Sequence, residues 1–395
     1  MLQEFTWLDA TIAVIFLLYF LAGIRRGFFI SLGNLAGFIL GAFAAMSVTG
    51  WVVQQVPEAW HIIAGIITII LCLVVGQWLG FLLGRSLRDL SDKTPLRSLE
   101  RLLGGVLNLV VGALVLLIII LALKPLGVPA ITTALGQSQI AVALERNVPR
   151  AVQEKISEVR TEIMANASIP EITSLMYPQT PPPTEPLENA SLEEASQSVV
   201  QVLGAAIHCG YTSEGSGFVI ADNTVATNAH VVAGVTEPLV QDRGGFTYRG
   251  EVVYYDKTND VAFIRLTDEL PLDALPLGGD APSGTPASFM GYPGGGPFDS
   301  RPATVQGLGY SRTVEAKTGE TSESRLVYQL AAEVEQGSSG GPVFNEKGEV
   351  IAQIFATSTE GKTSGYAIPA SVLQDALVGL ENYTQPVATG QCQVR

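Results

Sequence analysis

The spacing of apolar residues changes twice along this chain, and each change marks a different kind of structure. Before residue 125 the apolar positions form four long runs, roughly Asp9–Ile24, Phe28–Val48, Ile62–Gly84 and Leu102–Leu123. Each is near the length an α-helix needs to cross a hydrocarbon core, so the pattern predicts a four-helix transmembrane bundle over residues 1–124. Between Leu144 and Ala165 apolar residues recur at Val148, Val152, Ile156, Val159 and Ile163 with charges between them. That is the pattern of an amphipathic helix, with Pro149 in its first turn.

From Val199 the helical period gives way to short β-rich runs bounded by Gly, Pro, Asn and Asp. They are Val199–Ile207, Ser216–Ile220, Thr224–Thr227, Arg249–Tyr255, Val261–Leu266, Ala287–Met290, Thr304–Gly307, Leu326–Leu330, Pro342–Phe344 and Val350–Ile354. Strands this short and this numerous predict two packed six-stranded barrels joined near Gly278–Ser283. The first barrel would hold His230 and Asp260, and the second Ser339. Residues 125–190 form a connecting segment with a polar, proline-rich run, Tyr177–Pro186, expected to be an extended spacer and the most protease-sensitive part of the chain. Ser191 and Glu194 have capping-box spacing, so a short helix should open the domain at 191–395.

Glycine recurs every fourth residue at Gly33, Gly37 and Gly41, and again at Gly76, Gly80 and Gly84. Such stripes let helix backbones approach closely and predict helix pairing. No run carries an ionisable residue at mid-membrane depth, which argues against a transport path. Asn34, Gln77 and Asn108 are expected to hydrogen-bond between helices. The first run is not read as a signal peptide, because its N-terminal flank carries Glu4 and Asp9 and no basic residue.

Composition agrees with a partly lipid-embedded chain: mean hydropathy is +0.33 and only 15% of residues are charged. The net charge of −14 is unevenly placed. Residues 1–124 hold 8 Lys/Arg against 6 Asp/Glu, a net of +2, whereas residues 125–395 hold 15 against 31, a net of −16. The second part has no basic stripe to neutralise phosphates, so nucleic acid is excluded as a partner. Within the first part, Arg25 and Arg26 lie in the first loop, and Arg85, Arg88, Lys93, Arg97 and Arg101 in the third. The positive-inside tendency then puts those loops in the cytoplasm, and the N-terminus and everything after the fourth span outside.

Three segments carry the candidate chemistry: Thr227-Asn228-Ala229-His230-Val231-Val232, Asn259-Asp260-Val261-Ala262-Phe263-Ile264 and Gly337-Ser338-Ser339-Gly340-Gly341-Pro342. Each places a polar residue beside a strand-like apolar run. Singly, a histidine at a strand end, an aspartate in a turn or a Gly-Ser loop is ordinary structure, and His61 and His208 are read that way. In order, the three supply a base, a carboxylate that orients it and a hydroxyl that it activates. Gly337 leaves room for substrate, and its N–H with that of Ser339 would form an oxyanion hole.

The first half, with Arg25-Arg26-Gly27-Phe28 after its first span, resembles the colicin V production protein family. The three motifs, over about residues 199–370, resemble the trypsin-like proteases of bacteria, including the high-temperature-requirement group. Gly365-Tyr366-Ala367-Ile368-Pro369 is similar to the strand after their specificity pocket. The pairing of both halves is the layout of the MarP family, actinobacterial membrane-anchored proteases associated with acid-stress resistance. The resemblance implies a chymotrypsin-like double β-barrel and an extracytoplasmic serine endopeptidase with catalytic His230, Asp260 and Ser339, acting on proteins, without cofactor or metal; the exposed backbone of the spacer makes the chain's own linker a further expected substrate. Residue 338 is Ser where digestive relatives carry an activating Asp, so zymogen-type activation is not expected. Only 26 residues follow Pro369, too few for the peptide-binding module of the high-temperature-requirement group.

Three expectations accompany that resemblance. Cys209 and Cys392 both lie outside by the topology argument, where a disulfide persists; two free thiols are the alternative, and similar family members carry such a staple. Glu333 stands where relatives place the base of the specificity pocket, but a solvated or paired carboxylate is equally open. His230 must be neutral to act as a base, so activity is expected in a mildly acidic compartment and not at strongly acidic pH. Two other readings are a non-enzymatic membrane scaffold with a silent protease-like domain and a transporter with a regulatory outer domain.

Overall fold

The computed structural model describes residues 5–53, 55, 61–91, 97–163, 170–172, 176–206, 211–313, 323–358 and 363–390. Two compact units emerge, Trp7–Ile119 and the chain from Ile120 onward. Cys209 and Cys392 lie outside the described residues, so the expected bridge between them lies outside the described structure as well.

The first unit contains α1 (Trp7–Arg26), α2 (Phe28–Val53), α3 (His61–Ser91) and α4 (Arg97–Leu123). Among the described residues, all four are long and apolar enough to cross a membrane. α3 and α4 run past the ends of their apolar stretches, because the Arg-bearing flanks continue the backbone hydrogen-bond ladder. The chain breaks between α1 and α2 at Gly27, whose φ of +82° is closed to most side chains. A Cβ there would also strike the Glu100 carboxylate. Glu100 Oε1 accepts the Phe29 N–H at 3.3 Å, placing a negative charge at the positive end of α2.

The glycine stripes of α2 and α3 face one another as their spacing predicts. A Cβ on Gly37 would fall 2.1 Å from the Gly76 carbonyl oxygen, and one on Gly80 would fall 2.0 Å from that of Gly33. Asn108 Nδ2 donates to the Tyr19 carbonyl at 3.4 Å, an interhelical bond of the kind expected.

The second unit begins with α5 (Pro129–Gln137), α6 (Gln139–Arg146) and α7 (Arg150–Ile163). One helix was expected over Leu144–Ala165, but the chain breaks at residues 147–149. Pro149 has no N–H to extend α6, and its carbonyl instead accepts from Val152 and Gln153 to start α7. These helices pack against the barrel region. Lys124, 4% exposed, ion-pairs with Glu145 at 2.6 Å and donates to the Gly245 carbonyl at 3.1 Å.

A two-residue strand, β1 (Glu171–Ile172), follows, and residues 176–187 then run extended without being a free spacer. The Met176 and Tyr177 N–H groups donate to Gln329 Oε1 at 2.9 and 3.0 Å, and the Leu187 N–H donates to Ser288 Oγ at 2.7 Å. The short helix α8 (Ala190–Ser196) is capped by Asn189, whose side chain accepts the Leu192 N–H, and not by Ser191 as the spacing predicted. A cap of this type contributes about 1 kcal/mol.

Strands β2 (Val199–Ala206), β3 (Tyr211–Ala221), β4 (Thr224–Thr227), β5 (Leu239–Gln241), β6 (Thr247–Asp256) and β7 (Val261–Leu266) close a barrel in the order β2-β3-β4-β7-β6-β5. Strands β8 (Pro286–Gly291), β9 (Asp299–Ser311), β10 (Arg325–Ala331), β11 (Pro342–Phe344), β12 (Val350–Ser358) and β13 (Ser364–Pro369) form the second barrel. Its order is β12-β11-β8-β9-β10-β13, closed by β12–β13 pairing, with β1 added parallel to β12. Helix α9 (Ala370–Leu377) follows. The expected fold class, an apolar helical bundle followed by two six-stranded barrels, is borne out.

Each barrel has its own apolar filling, and a third cluster joins them. Val200, Val225, Val240 and Ile264 fill the first, while Phe289, Leu330, Val343 and Ile354 fill the second. Phe218 and Phe263 of the first barrel share a cluster with Phe344, Phe355 and Tyr366 of the second. Each such buried aromatic contributes about 1.5–3 kcal/mol relative to exposure. That shared cluster fixes the rims of the two barrels against one another.

Candidate active site

β4 ends at Thr227, and the next residues turn into a single 3₁₀ turn, Ala229–Val231, that carries His230. Ala229, Val231 and Val232 are buried and anchor the turn, leaving the imidazole at the barrel rim with 12% of its side chain exposed. The neighbouring strand delivers Asp260. Between β6 and β7 the Asp256 carboxylate accepts the N–H groups of Thr258 and Asn259, at 2.8 and 3.1 Å, and so builds the turn. Asp260 closes that turn with φ +60°, a left-handed conformation that is unfavourable for a side-chain-bearing residue. The strain, about 1–3 kcal/mol, is held by bonds on every side. Asn228 Nδ2 donates to its carbonyl at 3.0 Å, and its two carboxylate oxygens meet the backbone N–H and Nδ1 of His230 at 2.8 and 2.7 Å.

Ser339 comes from the turn between β10 and β11. Gly337 and Gly340 adopt φ values of +89° and +88°, and neither has room for a Cβ. At Gly337 a Cβ would sit 2.4 Å from the Tyr292 carbonyl oxygen; at Gly340, 2.0 Å from that of Ser216. The turn is tied to the first barrel through Ser216 on β3. Its N–H donates to the Ser339 carbonyl at 2.7 Å, its hydroxyl donates to the Gly337 carbonyl at 2.7 Å, and that hydroxyl accepts the Tyr292 N–H at 2.9 Å. Ser216 is fully buried. The sequence pattern places it at the start of a strand, Ser216–Ile220, with nothing to mark it as part of the site.

Among the described residues, the Gly337 and Ser339 N–H groups have no intramolecular acceptor, which leaves both available to a ligand oxygen. The Ser339 hydroxyl is buried and, among the described residues, makes no hydrogen bond. The structure therefore closes the imidazole–carboxylate link and leaves the hydroxyl–imidazole link open. In hydrolases with a base and a hydroxyl so placed, that link commonly tightens only when substrate is bound.

Two further side chains at the site escaped the sequence reading. Arg301 on β9 donates to Asp299 Oδ2 at 2.9 Å, to Glu335 Oε2 at 3.1 Å and to the Glu333 carbonyl at 3.3 Å, clasping the approach to the Ser339 turn. Arg325, at the start of β10, is 7% exposed and places Nη1 3.8 Å from Asp260 Oδ2. Neither lies in an apolar run whose period would have flagged it. Glu333 is exposed on the same approach. Pairing of β1 with Thr357 and Ser358 places a piece of the connecting segment on β12, whose Ile354 exchanges backbone hydrogen bonds with Gly340 and Gly341 beside Ser339.

Known proteins agree with both halves. The trypsin-like peptidase domain matches residues 215–352, and the colicin V production protein matches residues 8–149. Serine protease Rv3671c of Mycobacterium tuberculosis is 28% identical over 98% of this chain and 98% of its own. The crystal structure of Rv3671c protease in its active form aligns with a TM-score of 0.51 and 32% identity, covering 57% of this chain and 99% of the solved one. The mitochondrial serine protease HTRA2 of Bos taurus is 34% identical over 50% of this chain and 44% of its own. Because the likeness to Rv3671c runs through the helical and barrel halves alike, the chain belongs to the MarP family of serine proteases and is a serine endopeptidase.

Proposed function

We propose that the protein is a membrane-anchored, extracytoplasmic endopeptidase in which His230, Asp260 and Ser339 form the catalytic triad. The observation that carries this reading is the two-point grip of the Asp260 carboxylate on His230, 2.7 Å at Nδ1 and 2.8 Å at the backbone N–H. With Nδ1 held as a donor, Nε2 is left as the base. It takes the Ser339 proton as the oxygen attacks the scissile carbonyl, and the imidazolium that forms is stabilised by Asp260. The N–H groups of Gly337 and Ser339 receive the oxyanion. Collapse expels the amine, protonated by the imidazolium, and leaves an acyl group on Ser339; water then repeats the sequence with the same base.

The rest of the reading follows from charge placement. The basic first and third loops face the cytoplasm, the barrels face outward, and the net negative charge of residues 125–395 is repelled by an anionic bilayer surface. Its substrates are extracytoplasmic proteins and its own connecting segment, cleaved during acid or envelope stress. A Cys209–Cys392 bridge fits that oxidising compartment. Full-length protein in detergent micelles should digest casein, and Ser339→Ala should abolish digestion without changing the melting temperature by more than about 3 °C. Digestion that survives in S339A rejects the triad; a reporter fused after Arg395 and found in the cytosol rejects the topology.

A further inference from the structure

The strongest unexplained group near the site is Arg325. Its guanidinium is buried at the junction of the two barrels, 7% exposed, with Nε lacking any hydrogen-bond partner among the described residues. Its contacts there are the face of Phe355, 5.4 Å from the ring centroid, and the Asp260 carboxylate at 3.8 Å. That is beyond hydrogen-bond length, and the oxygen concerned, Oδ2, is the one that already accepts from His230 Nδ1. A buried cation held this loosely is a poor stabiliser of a fold, because the desolvation cost of the charge is not offset by close pairing. Its position matters more than its bonds: it approaches the same carboxylate oxygen that meets the imidazole.

We propose that Arg325 is a positioning residue for proteolysis, whose fixed positive charge beside the Asp260 carboxylate keeps His230 neutral, and therefore able to act as a base, at lower pH than the Asp260–His230 pair alone would allow. This rests on the reading of His230, Asp260 and Ser339 as the proteolytic machinery. Asp260 alone favours the imidazolium, since an adjacent anion stabilises the added proton. A guanidinium 3.8 Å from that carboxylate cancels part of its field. At a site where both side chains are largely buried, a charge one side chain away is screened less than it would be in open solvent.

Other charges face the same place. Arg325 itself lines a cavity of about 380 Å³, together with Tyr254, Asp256, Asn259, Asp375 and Tyr383. The Asp256 carboxylate is engaged by Thr258, Asn259 and the Asn259 side chain. Asp375 reaches the cavity from α9, and Glu323 is exposed two residues before Arg325. These three are anions, so they oppose the effect assigned to Arg325. Among the described charges bordering this cavity, Arg325 is the cation.

The test is the pH dependence of kcat/KM on a fluorogenic peptide, using full-length protein in detergent micelles as wild type, Arg325→Gln, Arg325→Met and Arg325→Lys. Loss of the charge should move the acid limb of the profile upward by about one pH unit. The alkaline plateau should stay within about threefold of wild type, a much smaller change than the loss at low pH. R325K should retain the wild-type acid limb. An unmoved acid limb in R325Q and R325M, or an equal loss at every pH, overturns the proposal, as does failure of both to fold while R325K folds. If the wild type cleaves nothing, the proteolytic reading fails by itself. The histidine ring titration, followed by NMR on ¹⁵N-histidine-labelled wild type and R325Q, then decides: a midpoint raised in R325Q upholds the charge effect, and an unchanged midpoint rejects it.

Discussion

The Asp260 carboxylate grips His230 at two points, Oδ1 on its backbone N–H at 2.8 Å and Oδ2 on its ring Nδ1 at 2.7 Å. One carboxylate thereby fixes both the turn that carries the imidazole and the direction in which the ring points. The left-handed φ of +60° at Asp260 is what allows its side chain to face back toward that turn.

Asp260→Asn should therefore retain the fold while losing activity. The amide can present an NH₂ to Nδ1 and so favour the tautomer that carries its proton on Nε2. We expect kcat to fall by about 10³–10⁴-fold. Steady-state kinetics on folded D260N checks this, and a loss below tenfold would remove Asp260 from the mechanism.

Stability should carry a pH signature from Asp242. Burial raises its carboxyl above the usual carboxylate range, opposed by hydrogen bonds from the Phe246 N–H and the Tyr248 hydroxyl. A raised value means that the folded state binds the proton more tightly than the unfolded chain. The contribution is thus fully present below the unfolded value near 3.8 and is lost as pH rises through the folded one. Melting temperatures of wild type and Asp242→Asn should accordingly diverge with pH, the wild type gaining on the variant as pH is lowered from 7 to 4. A constant difference across that range contradicts the assignment.

The helical unit makes a contrast between glycines. A Cβ on Gly80 would lie 2.0 Å from the Gly33 carbonyl oxygen, whereas one on Gly50 meets nothing within 4 Å. Gly80→Val should force α2 and α3 apart and lower the melting temperature in detergent, and Gly50→Val should not. Equal behaviour of the two variants would show that the stripe does not set helix pairing.

Arg301 should matter for rate more than for stability. Its links to Asp299 and Glu335 lie near the surface, where ion pairs contribute about 0–1 kcal/mol. It also holds the Glu333 carbonyl at 3.3 Å, on the approach to Ser339. Arg301→Met is expected to lower kcat/KM about tenfold through a loosened turn. A large melting shift with unchanged kcat/KM would assign it to the fold instead.

Strands β4, β7 and β11 fall at the bounds that the apolar runs predicted, because each is a short run cut off by turn residues and buried on both faces. β5 and β1 were not legible. β5 has three residues, too few to show alternation, and β1 has two, defined by parallel pairing with residues 357–358 far along the chain. The Tyr177–Pro186 run was read correctly as extended, but not as fastened to the second barrel, since the glutamines that fasten it lie on β9 and β10. The candidate site divides in the same way. His230, Asp260 and Ser339 stand out because each adjoins an apolar run, while Ser216 and Arg325 act through contacts that only the folded barrels create.

The account stands or falls on whether Ser339 is a nucleophile. Full-length protein treated with a fluorophosphonate probe should acquire one covalent adduct, mapped by mass spectrometry to Ser339, and labelling should vanish in Ser339→Ala and in His230→Ala. An adduct on another serine, or labelling that persists in either variant, would contradict it.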